Sequence, residues 1–402
     1  MIYLDNAATS NKKPQCVIDA VVQALTEGIG NSGRGTSEAA LEASRIVYRA
    51  RKQTAGLFGF PDPSCVAFTS NSTEALNTAI MGTLSPGDRV VTTAAEHNSV
   101  LRPLFFQKNN GVQLDIVPLD ENGVIRYDSL KGAVTADTKA VVITQASNVT
   151  GNYTDLAAVS TIIRNAARNG RRPLLIVDAS QTAGSFAINA ADTDGQGGRI
   201  DILCFTGHKA LMGPQGTGGI CVMPDIHVRP LKRGGSGILS FEPDQPDSMP
   251  VRLEAGTMNV HGLAGLAAAV DFIKTTGLKK IRTHEQNLLE QFYETVAPLP
   301  GIRIYGDFHK TAGGHLNERA PVISLNLGNH DAAKISDILF DEYGIATRAG
   351  AHCAPLVHRH FGTVSQGMVR FSFGWFTTEQ EISAAAAALE TIQKDLSEVH
   401  NE

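Results

Sequence analysis

The sequence predicts an α/β fold in which helices cover both faces of a mainly parallel sheet. Short apolar runs recur as far as residue 223, and several are near-continuous Val, Ile and Leu instead of alternating with polar residues. That pattern is typical of strands that are buried on both faces. Helical stretches separate several of these runs, and strands that alternate with helices favour a parallel sheet.

Seven apolar runs predict the strands of this sheet. In chain order they are CVAFTS (65–70), RVVTTAAEH (89–97), VQLDIVPLD (112–120), KAVVITQAS (139–147), PLLIVDAS (173–180), IDILCFTGH (200–208) and GGICVM (218–223). Helices are predicted at 37–59, 73–84 and 155–170.

The C-terminal part of the chain is predicted to have a different organisation. A Gly-, Ser- and Pro-rich stretch at 233–257 is too long for a simple connection, which favours a functional or intersubunit loop. A helix of small and apolar residues is predicted at 262–277, and the tail at 381–402 has high helix propensity. Between them lie amphipathic helices and fewer strands, among them 321–328 and 368–374. This organisation indicates a second, smaller α+β domain.

Composition and charge narrow the class of protein. Of 402 residues, 42% are hydrophobic and 19% are charged, which suits a globular chain long enough for two domains. The formal net charge of -5 and the lack of a long Lys/Arg run argue against nucleic-acid binding. No apolar run reaches membrane-spanning length, and the N-terminus lacks the pattern of a signal peptide. The five cysteines are scattered and odd in number, so we expect reduced thiols and a cytoplasmic location.

Polar residues follow five of the predicted strands at the point where each strand ends. In an open α/β sheet, ligands bind at the carboxyl ends of the strands, so five such clusters at one edge indicate a single site. The residues are Asn71, Ser72 and Thr73, then His97, then Asn148, then Asp178 with Gln181, and finally Thr206, His208 and Lys209.

Most of these residues also have a purely structural interpretation. Asn71, Ser72 and Thr73 could be helix caps, although a helix N-terminus also binds phosphate. His97 could be a core histidine, and Asn148 could be a turn residue. Asp178 is harder to explain in this way, because a carboxylate after PLLIV is costly to bury without a cationic partner.

The surroundings of Lys209 point to chemistry. It follows the apolar run IDILCF and lies among small residues in FTGHKALMGPQGTGG (205–219), a setting that a surface lysine does not need. A confined lysine amine can form a Schiff base with an aldehyde cofactor. Pyridoxal phosphate needs such a lysine, a carboxylate at its ring nitrogen, a flat group on its ring and donors for its phosphate. The clusters contain all of these, with Asp178 as the carboxylate and His97 as the flat group.

Eight short motifs are spread over nearly the whole chain: YLDNAATS, SNSTEALN, AAEHNS, SNVTG, VDASQT, FTGHK, EAGTMN and RAGAHCAP. Their content and order resemble the class V aminotransferase-fold enzymes of the cysteine desulfurase and selenocysteine lyase group. The resemblance implies pyridoxal-phosphate fold type I, with a seven-stranded sheet in a large cofactor-binding domain (15–262) and a small domain (1–14 and 263–402). It also implies a homodimer with the active site at the subunit interface.

The resemblance assigns roles residue by residue. It implies that Lys209 forms the Schiff base, that Asp178 pairs with the ring nitrogen and that His97 stacks on the ring. Gln181 is then near the phenolate oxygen of the cofactor. The implied phosphate contacts are Ser72, Thr73, Thr206 and His208, with Thr257 of EAGTMN reaching the phosphate in the partner subunit. The implied ligands of the substrate carboxylate are Asn148, Arg370 and Arg348.

Cys353 in RAGAHCAP decides the branch of the family. It lies five residues after Arg348, as in the Suf-type branch with its short active-site loop, and the resemblance implies that it receives the substrate sulfur. The segment HCAPL is one residue shorter than the usual Suf-type pattern, which marks a divergent subgroup. The alternatives are an inert cysteine or a metal site that includes His352, His358 and His360. No second ligand cluster has zinc spacing, so no metal is expected.

The predicted function is that of a pyridoxal-phosphate-dependent cysteine desulfurase. L-cysteine becomes L-alanine, and the persulfide on Cys353 passes to a sulfur-acceptor protein. The alternatives are a lyase acting on L-selenocysteine, an aminotransferase of the same fold, a metal-dependent hydrolase and an inactive scaffold. The presence of Lys209, Asp178 and Cys353 disfavours the scaffold. No membrane and no nucleic acid is expected among the partners.

Overall fold

Helices and strands alternate along most of the chain in the computed structural model, which describes residues 1–33, 35, 37–168 and 170–398. The helices are α1 Gln15–Thr26, α2 Glu38–Phe58, α3 Ser72–Thr83, α4 Asn98–Asn109, α5 Tyr127–Ala133, α6 Leu156–Ala166, α7 Val260–Thr276, α8 Leu278–Val296, α9 Ala332–Tyr343, α10 Pro355–Phe361 and α11 Glu379–Glu398. The strands are β1 Ile2–Tyr3, β2 Val66–Thr69, β3 Arg89–Thr93, β4 Gln113–Val117, β5 Thr138–Thr144, β6 Leu174–Asp178, β7 Ile202–Thr206, β8 Gly218–Val222, β9 Ile302–Tyr305, β10 Val322–Leu327, β11 Ile345–Ala346, β12 Arg348–Gly350 and β13 Met368–Ser372.

The seven predicted runs form one seven-stranded sheet within the described residues, in the order β2-β8-β7-β6-β5-β3-β4. Neighbours are parallel from β7 to β4, whereas β8 is antiparallel to both β7 and β2. The prediction of a mainly parallel sheet is therefore confirmed. Strands β7 and β8 are buried along their whole length, and β5 is buried except at Lys139, as their continuous apolar sequences require.

The predicted limits of the elements differ from the observed ones where the backbone turns sharply. The helix predicted at 155–170 ends at Ala166, because Arg168 and Arg171 pair across a tight turn in which Gly170 has a φ of +73°. The run at 89–97 is a strand only to Thr93, after which the chain turns into α4. Residue 169 and residues 399–402, which belong to two predicted helices, lie outside the described residues.

A second sheet forms the predicted α+β part of the chain. Its strands are antiparallel in the order β12-β13-β10-β9, and its apolar side packs against α8, α9 and α11 in a core of its own. The first residues of the chain join this part, because β1 pairs with β11. The organisation into a mainly parallel sheet and a smaller α+β unit is as predicted, while the domain limits at 14/15 and 262/263 stay a prediction.

The stretch at 233–257 has little regular structure and runs over the surface. Ile238 and Leu239 are exposed, and Phe241 is fully exposed. Its assignment as an intersubunit loop stays a prediction. Across the described ranges, none of the helices combines the length and apolarity needed to cross a bilayer.

Candidate active site

A cavity lies at the carboxyl ends of the parallel strands, where small-molecule sites of open α/β sheets occur. Its position follows from topology, since β3, β5, β6 and β7 run in the same direction and end at one edge of the sheet. Nine of the predicted site residues line it: Ser72, Thr73, His97, Asn148, Asp178, Gln181, Thr206, His208 and Lys209.

Two helix N-termini meet at this cavity. Asn71 caps α3 by accepting a hydrogen bond from the backbone N–H of Glu74 at 3.0 Å. His97 caps α4 in the same way, with Nδ1 accepting from the backbone N–H of Ser99 at 3.0 Å. Of the residues predicted as caps of α3, Asn71 is the N-cap and Ser72 and Thr73 lie in the first turn. Both helix ends leave N–H donors that favour an anion.

Three buried polar atoms at the cavity lack a hydrogen-bond partner within the described part of the chain, and two of them lie at or just after the end of β7. These two are the hydroxyl oxygen of Thr206, directly at the end of β7, and Nδ1 of His208. Burial lowers the pKa of His208 to about 4, and the neighbouring charges of Lys209 and Lys13 act in the same direction. Unpaired buried polar atoms are costly, so these two atoms beside a helix N-terminus suit a bound anionic group.

Asp178 uses one of its two carboxylate oxygens for structure. Oδ1 accepts from the backbone N–H of Ser180 at 2.9 Å, from the Ser180 hydroxyl and, at 3.4 Å, from the Ser72 hydroxyl. Among the described residues none donates to Oδ2. Because Asp178 lines the cavity, Oδ2 is the oxygen left for a protonated ring nitrogen of a ligand.

Lys209 has the electrostatic setting of a reactive amine. Its pKa is lowered from 10.5 to about 8, mainly by burial, with the guanidinium groups of Arg370 and Arg348 acting in the same direction and Asp178 opposing the shift. The same groups act on His97, whose pKa falls to about 4 mainly through burial. A partly neutral lysine therefore lies beside a neutral imidazole at neutral pH.

An N-terminal segment holds the backbone immediately before Lys209. The carbonyl oxygen of His208 accepts from the backbone N–H of Ser10 at 3.0 Å, from the hydroxyls of Ser10 and Thr9, and from Lys13 Nζ at 3.0 Å. Four donors on one carbonyl fix the orientation of the His208–Lys209 peptide. Thr9 and Ser10 belong to the motif YLDNAATS, although nothing in the sequence pairs that motif with FTGHK.

Arg370 and Arg348 lie opposite each other on neighbouring strands of the small sheet. Arg370 is 1% exposed, and its Nη2 donates to Asp5 Oδ1 at 2.6 Å while Nη1 donates to the carbonyl of Asn148 at 3.1 Å. The two guanidinium groups carry one more positive charge than a single carboxylate balances, which favours the binding of a second anion. Asn148 Oδ1 is buried beside them without a partner in the described part of the molecule.

Cys353 lies on the outer side of the same site. It is exposed, and it lines a surface groove together with Thr73, His97 and Ser99, which also line the cavity. Its carbonyl accepts from the backbone N–H of Asn98, the residue after His97, at 2.7 Å. The groove therefore joins the exposed thiol to the cavity.

Thr257, a further predicted site residue, lies away from the cavity in a single subunit. It lines a separate surface depression with Ser70, Glu74 and Lys232. Its predicted role toward a partner subunit stays a prediction.

Sequence reasoning missed Glu96, which is fully buried behind the cavity. Its Oε1 accepts from the Thr93 hydroxyl at 2.6 Å, and burial, with a smaller contribution from Asp178, raises its pKa to about 8. Glu96 lies in the motif AAEHNS beside His97, so its position was visible in the sequence but its burial was not. In the described ranges, no group of three or more His, Cys, Asp or Glu side chains has the arrangement of a metal site.

Known proteins resemble this chain in sequence and in structure. The profile of the family described as Aminotransferase class-V matches residues 2–385. A probable cysteine desulfurase of Methanothermobacter thermautotrophicus is 31% identical over 397 residues, which cover 97% of this chain and 94% of that protein. A cysteine desulfurase of Serratia proteamaculans is 30% identical over 404 residues, covering 98% and 94%. The apo structure of the cysteine desulfurase from Thermococcus onnurineus NA1 has a TM-score of 0.87 at 28% identity and covers 98% of this chain and 95% of that chain.

Proposed function

The chain belongs to the class V aminotransferase family, and we propose that it is a pyridoxal-phosphate-dependent cysteine desulfurase. It converts L-cysteine to L-alanine and keeps the sulfur as a persulfide on Cys353. Two relatives of about the same length and a solved structure of the same fold carry the name cysteine desulfurase, which supports this activity. An aminotransferase of the same fold would share the cavity but would have no use for the exposed thiol beside it.

The side chains of the cavity fit pyridoxal phosphate. Lys209 supplies the amine, Asp178 Oδ2 is open for the ring nitrogen, and the imidazole of His97 supplies a flat surface for the ring. Gln181 completes the lining next to the N-terminal segment, because its Nε2 donates to the carbonyl of Ala7 at 3.2 Å. The phosphate ligands are Ser72, Thr73, Thr206 and His208, with Thr257 of the partner's chain as a further ligand. When bound, the cofactor supplies an aldehyde for amines and an electron-poor ring that draws electron density from the substrate α-carbon.

The residues around the cofactor bind the substrate and move its protons. Arg370 and Arg348 bind the substrate carboxylate, which provides the second anion that the two guanidinium groups need. The third assigned ligand, Asn148, can bind it only through its Nδ2 N–H, because its unpaired Oδ1 is an acceptor. Lys209, with a pKa of about 8, is neutral often enough to take the α-proton and to return protons to carbon. The carboxylate of Asp178 beside the ring nitrogen would favour a proton there.

Cys353 takes the sulfur. Its thiolate attacks the substrate sulfur, an S–S bond forms and the C–S bond breaks with its electron pair left on carbon. The carbon gains one proton, which balances the proton lost by the Cys353 thiol, and the organic product is alanine. The persulfide lies in the open groove, where the thiol of an acceptor protein can reach it.

We also infer a homodimer. Thr257 lines a surface depression separate from the cavity of its own chain, and the neighbouring loop exposes Ile238, Leu239 and Phe241. A second subunit would cover these apolar side chains and bring Thr257 to the partner's cavity.

The observation that carries the proposal is the groove in which exposed Cys353 and cavity residue His97 share one wall. The test is Cys353→Ala, with Cys16→Ala as the matched control because Cys16 is the other exposed cysteine. Alanine is quantified after adding L-cysteine or L-selenocysteine. We expect Cys353→Ala to lose alanine formation from cysteine and Cys16→Ala to keep it.

Other outcomes decide between the alternatives. Alanine from selenocysteine alone in the wild type would identify a selenocysteine lyase. A keto acid in place of alanine would identify an aminotransferase. A Cys353→Ala variant that makes alanine from cysteine at the wild-type rate would contradict the persulfide role.

A further inference from the structure

The segment that carries Cys353 has an unusual backbone. His352 and Cys353 have φ values of +49° and +57°, a left-handed conformation that non-glycine residues adopt only where their surroundings hold them. The backbone carbonyls of His352 and Cys353 both accept hydrogen bonds from neighbouring segments. Asn148 Nδ2 donates to the carbonyl of His352 at 2.8 Å, and the backbone N–H of Asn98 donates to the carbonyl of Cys353 at 2.7 Å. The position of the Cys353 thiol therefore depends on the contacts that fix the backbone and side chain of His352.

A line of side-chain hydrogen bonds lies behind this segment. His352 Nε2 is 3.0 Å from the carbonyl of Arg348, and His352 Nδ1 is 3.4 Å from His358 Nε2. His358 Nδ1 is in turn 2.9 Å from the Thr363 hydroxyl. His352, His358 and Thr363 are all buried, so bulk water does not compete for these bonds. We call these three side chains the histidine network.

The partners determine where the protons of the histidine network lie. A carbonyl only accepts, so His352 Nε2 carries the proton that it donates to Arg348. Burial and the charge of Arg370 lower the pKa of His352 to about 3, and burial lowers the pKa of His358, so both rings are neutral. His352 Nδ1 is then an acceptor, His358 Nε2 donates to it, and His358 Nδ1 accepts from the Thr363 hydroxyl. Every bond runs in one direction, from Thr363 to the carbonyl of Arg348.

The same assignment excludes one role for His352. Both of its ring nitrogens are engaged, so it has no free nitrogen with which to take a proton from Cys353. What the network does provide is a rigid connection between α10, the Cys353 segment and β12. The last of these carries Arg348, a proposed ligand of the substrate carboxylate.

We propose that His352, His358 and Thr363 are positioning residues, whose one-directional hydrogen bonds hold the left-handed backbone at Cys353 and so place its thiol. The catalytic meaning of this inference rests on the proposed function, whereas the conformational part does not. The network touches no reacting atom. Its loss would leave substrate binding in place and slow the step in which sulfur moves.

Substitutions at His358 test the proposal. His358→Phe keeps a flat ring and removes both hydrogen bonds. His358→Gln places an amide nitrogen near the position of Nε2 and so keeps the bond to His352. His360→Phe is the matched control, because His360 is exposed two residues further along the same helix and packs edge-to-face on Phe361.

Three quantities are measured on the holoenzyme: kcat and KM for L-cysteine, and the amide exchange rate of Asn98, whose N–H binds the Cys353 carbonyl. For His358→Phe we expect kcat to fall about fivefold to tenfold, the effect of losing the one neutral hydrogen bond that holds His352, with KM within about twofold. Exchange at Asn98 should speed up by a similar factor. His358→Gln should recover most of kcat, and His360→Phe should match the wild type.

A folded His358→Phe protein with wild-type kcat and wild-type exchange would overturn the proposal, as would a Gln variant no better than Phe. If His358→Phe does not fold, Thr363→Val removes the first bond with little change in volume, and unchanged kcat and exchange there would count equally against it. A wild-type protein that forms no alanine from L-cysteine would instead contradict the proposed function. Exchange at Asn98 would still decide the conformational part.

Discussion

The pKa of Lys209 gives the sharpest quantitative prediction. An ordinary lysine with a pKa of 10.5 has about 0.08% of its amine neutral at pH 7.4, whereas a pKa of about 8 gives about 20%, roughly 250-fold more. Burial is the largest cause, so the shift should exist in the apoprotein before any cofactor binds. The neutral fraction sets the rate at which the amine reacts with an acylating reagent.

The assay is acetylation of the apoprotein at a series of pH values, with the Lys209 peptide quantified by mass spectrometry against an added lysine peptide. We expect a half-maximal rate near pH 8. Asp178→Asn should move the midpoint to lower pH, because Asp178 favours the charged amine. Arg370→Gln should move it to higher pH, because Arg370 disfavours the charge and its removal frees Asp5. A rate still rising above pH 9.5, or two variants that shift the same way, would refute the reasoning.

Three further predictions concern stability, each measured by urea unfolding. The pKa of Glu96 is about 8 in the folded protein and 4.5 in the unfolded chain, so the wild type loses stability as pH rises between these values. Glu96→Gln does not titrate, so its free energy of unfolding should rise relative to that of the wild type by up to about 1.4 kcal/mol per pH unit from pH 5 to 8. A constant difference would show that Glu96 is ionised throughout. Asp5→Asn keeps an acceptor for Arg370 but removes the charge, and should cost about 2 kcal/mol; a cost under about 0.5 kcal/mol would contradict the buried pair. Glu254→Gln leaves buried Arg51 without its carboxylate and should cost about 3 kcal/mol, and an unchanged midpoint would argue against that pair.

The sequence predicted the large sheet and the rim of the cavity because both depend on local patterns. Continuous apolar runs identify buried strands, and parallel strands place the residues that follow them at one edge. Residues as far apart as Ser72 and Lys209 therefore line one cavity. The two- and three-residue strands β1, β11 and β12 were missed, because such short segments carry no periodicity.

Contacts between segments far apart in the chain could not be predicted from the sequence. Asp5 binds Arg370 across 365 positions, and the N-terminal segment holds the carbonyl of His208 across nearly 200. No spacing rule connects such residues, even though each lies in or beside a motif. The burial of Glu96 and the one-directional bonds of His352 likewise depend on packing that only the folded chain supplies.

The central claim is that Lys209 holds pyridoxal phosphate at the rim of the sheet. Borohydride reduction of the holoprotein fixes the cofactor to whichever amine carries it, and peptide mapping then locates the label. We expect one pyridoxyl group per subunit, on Lys209, and its loss when L-cysteine is added before the reductant. A label on another lysine, or none on protein saturated with the cofactor, would contradict the account.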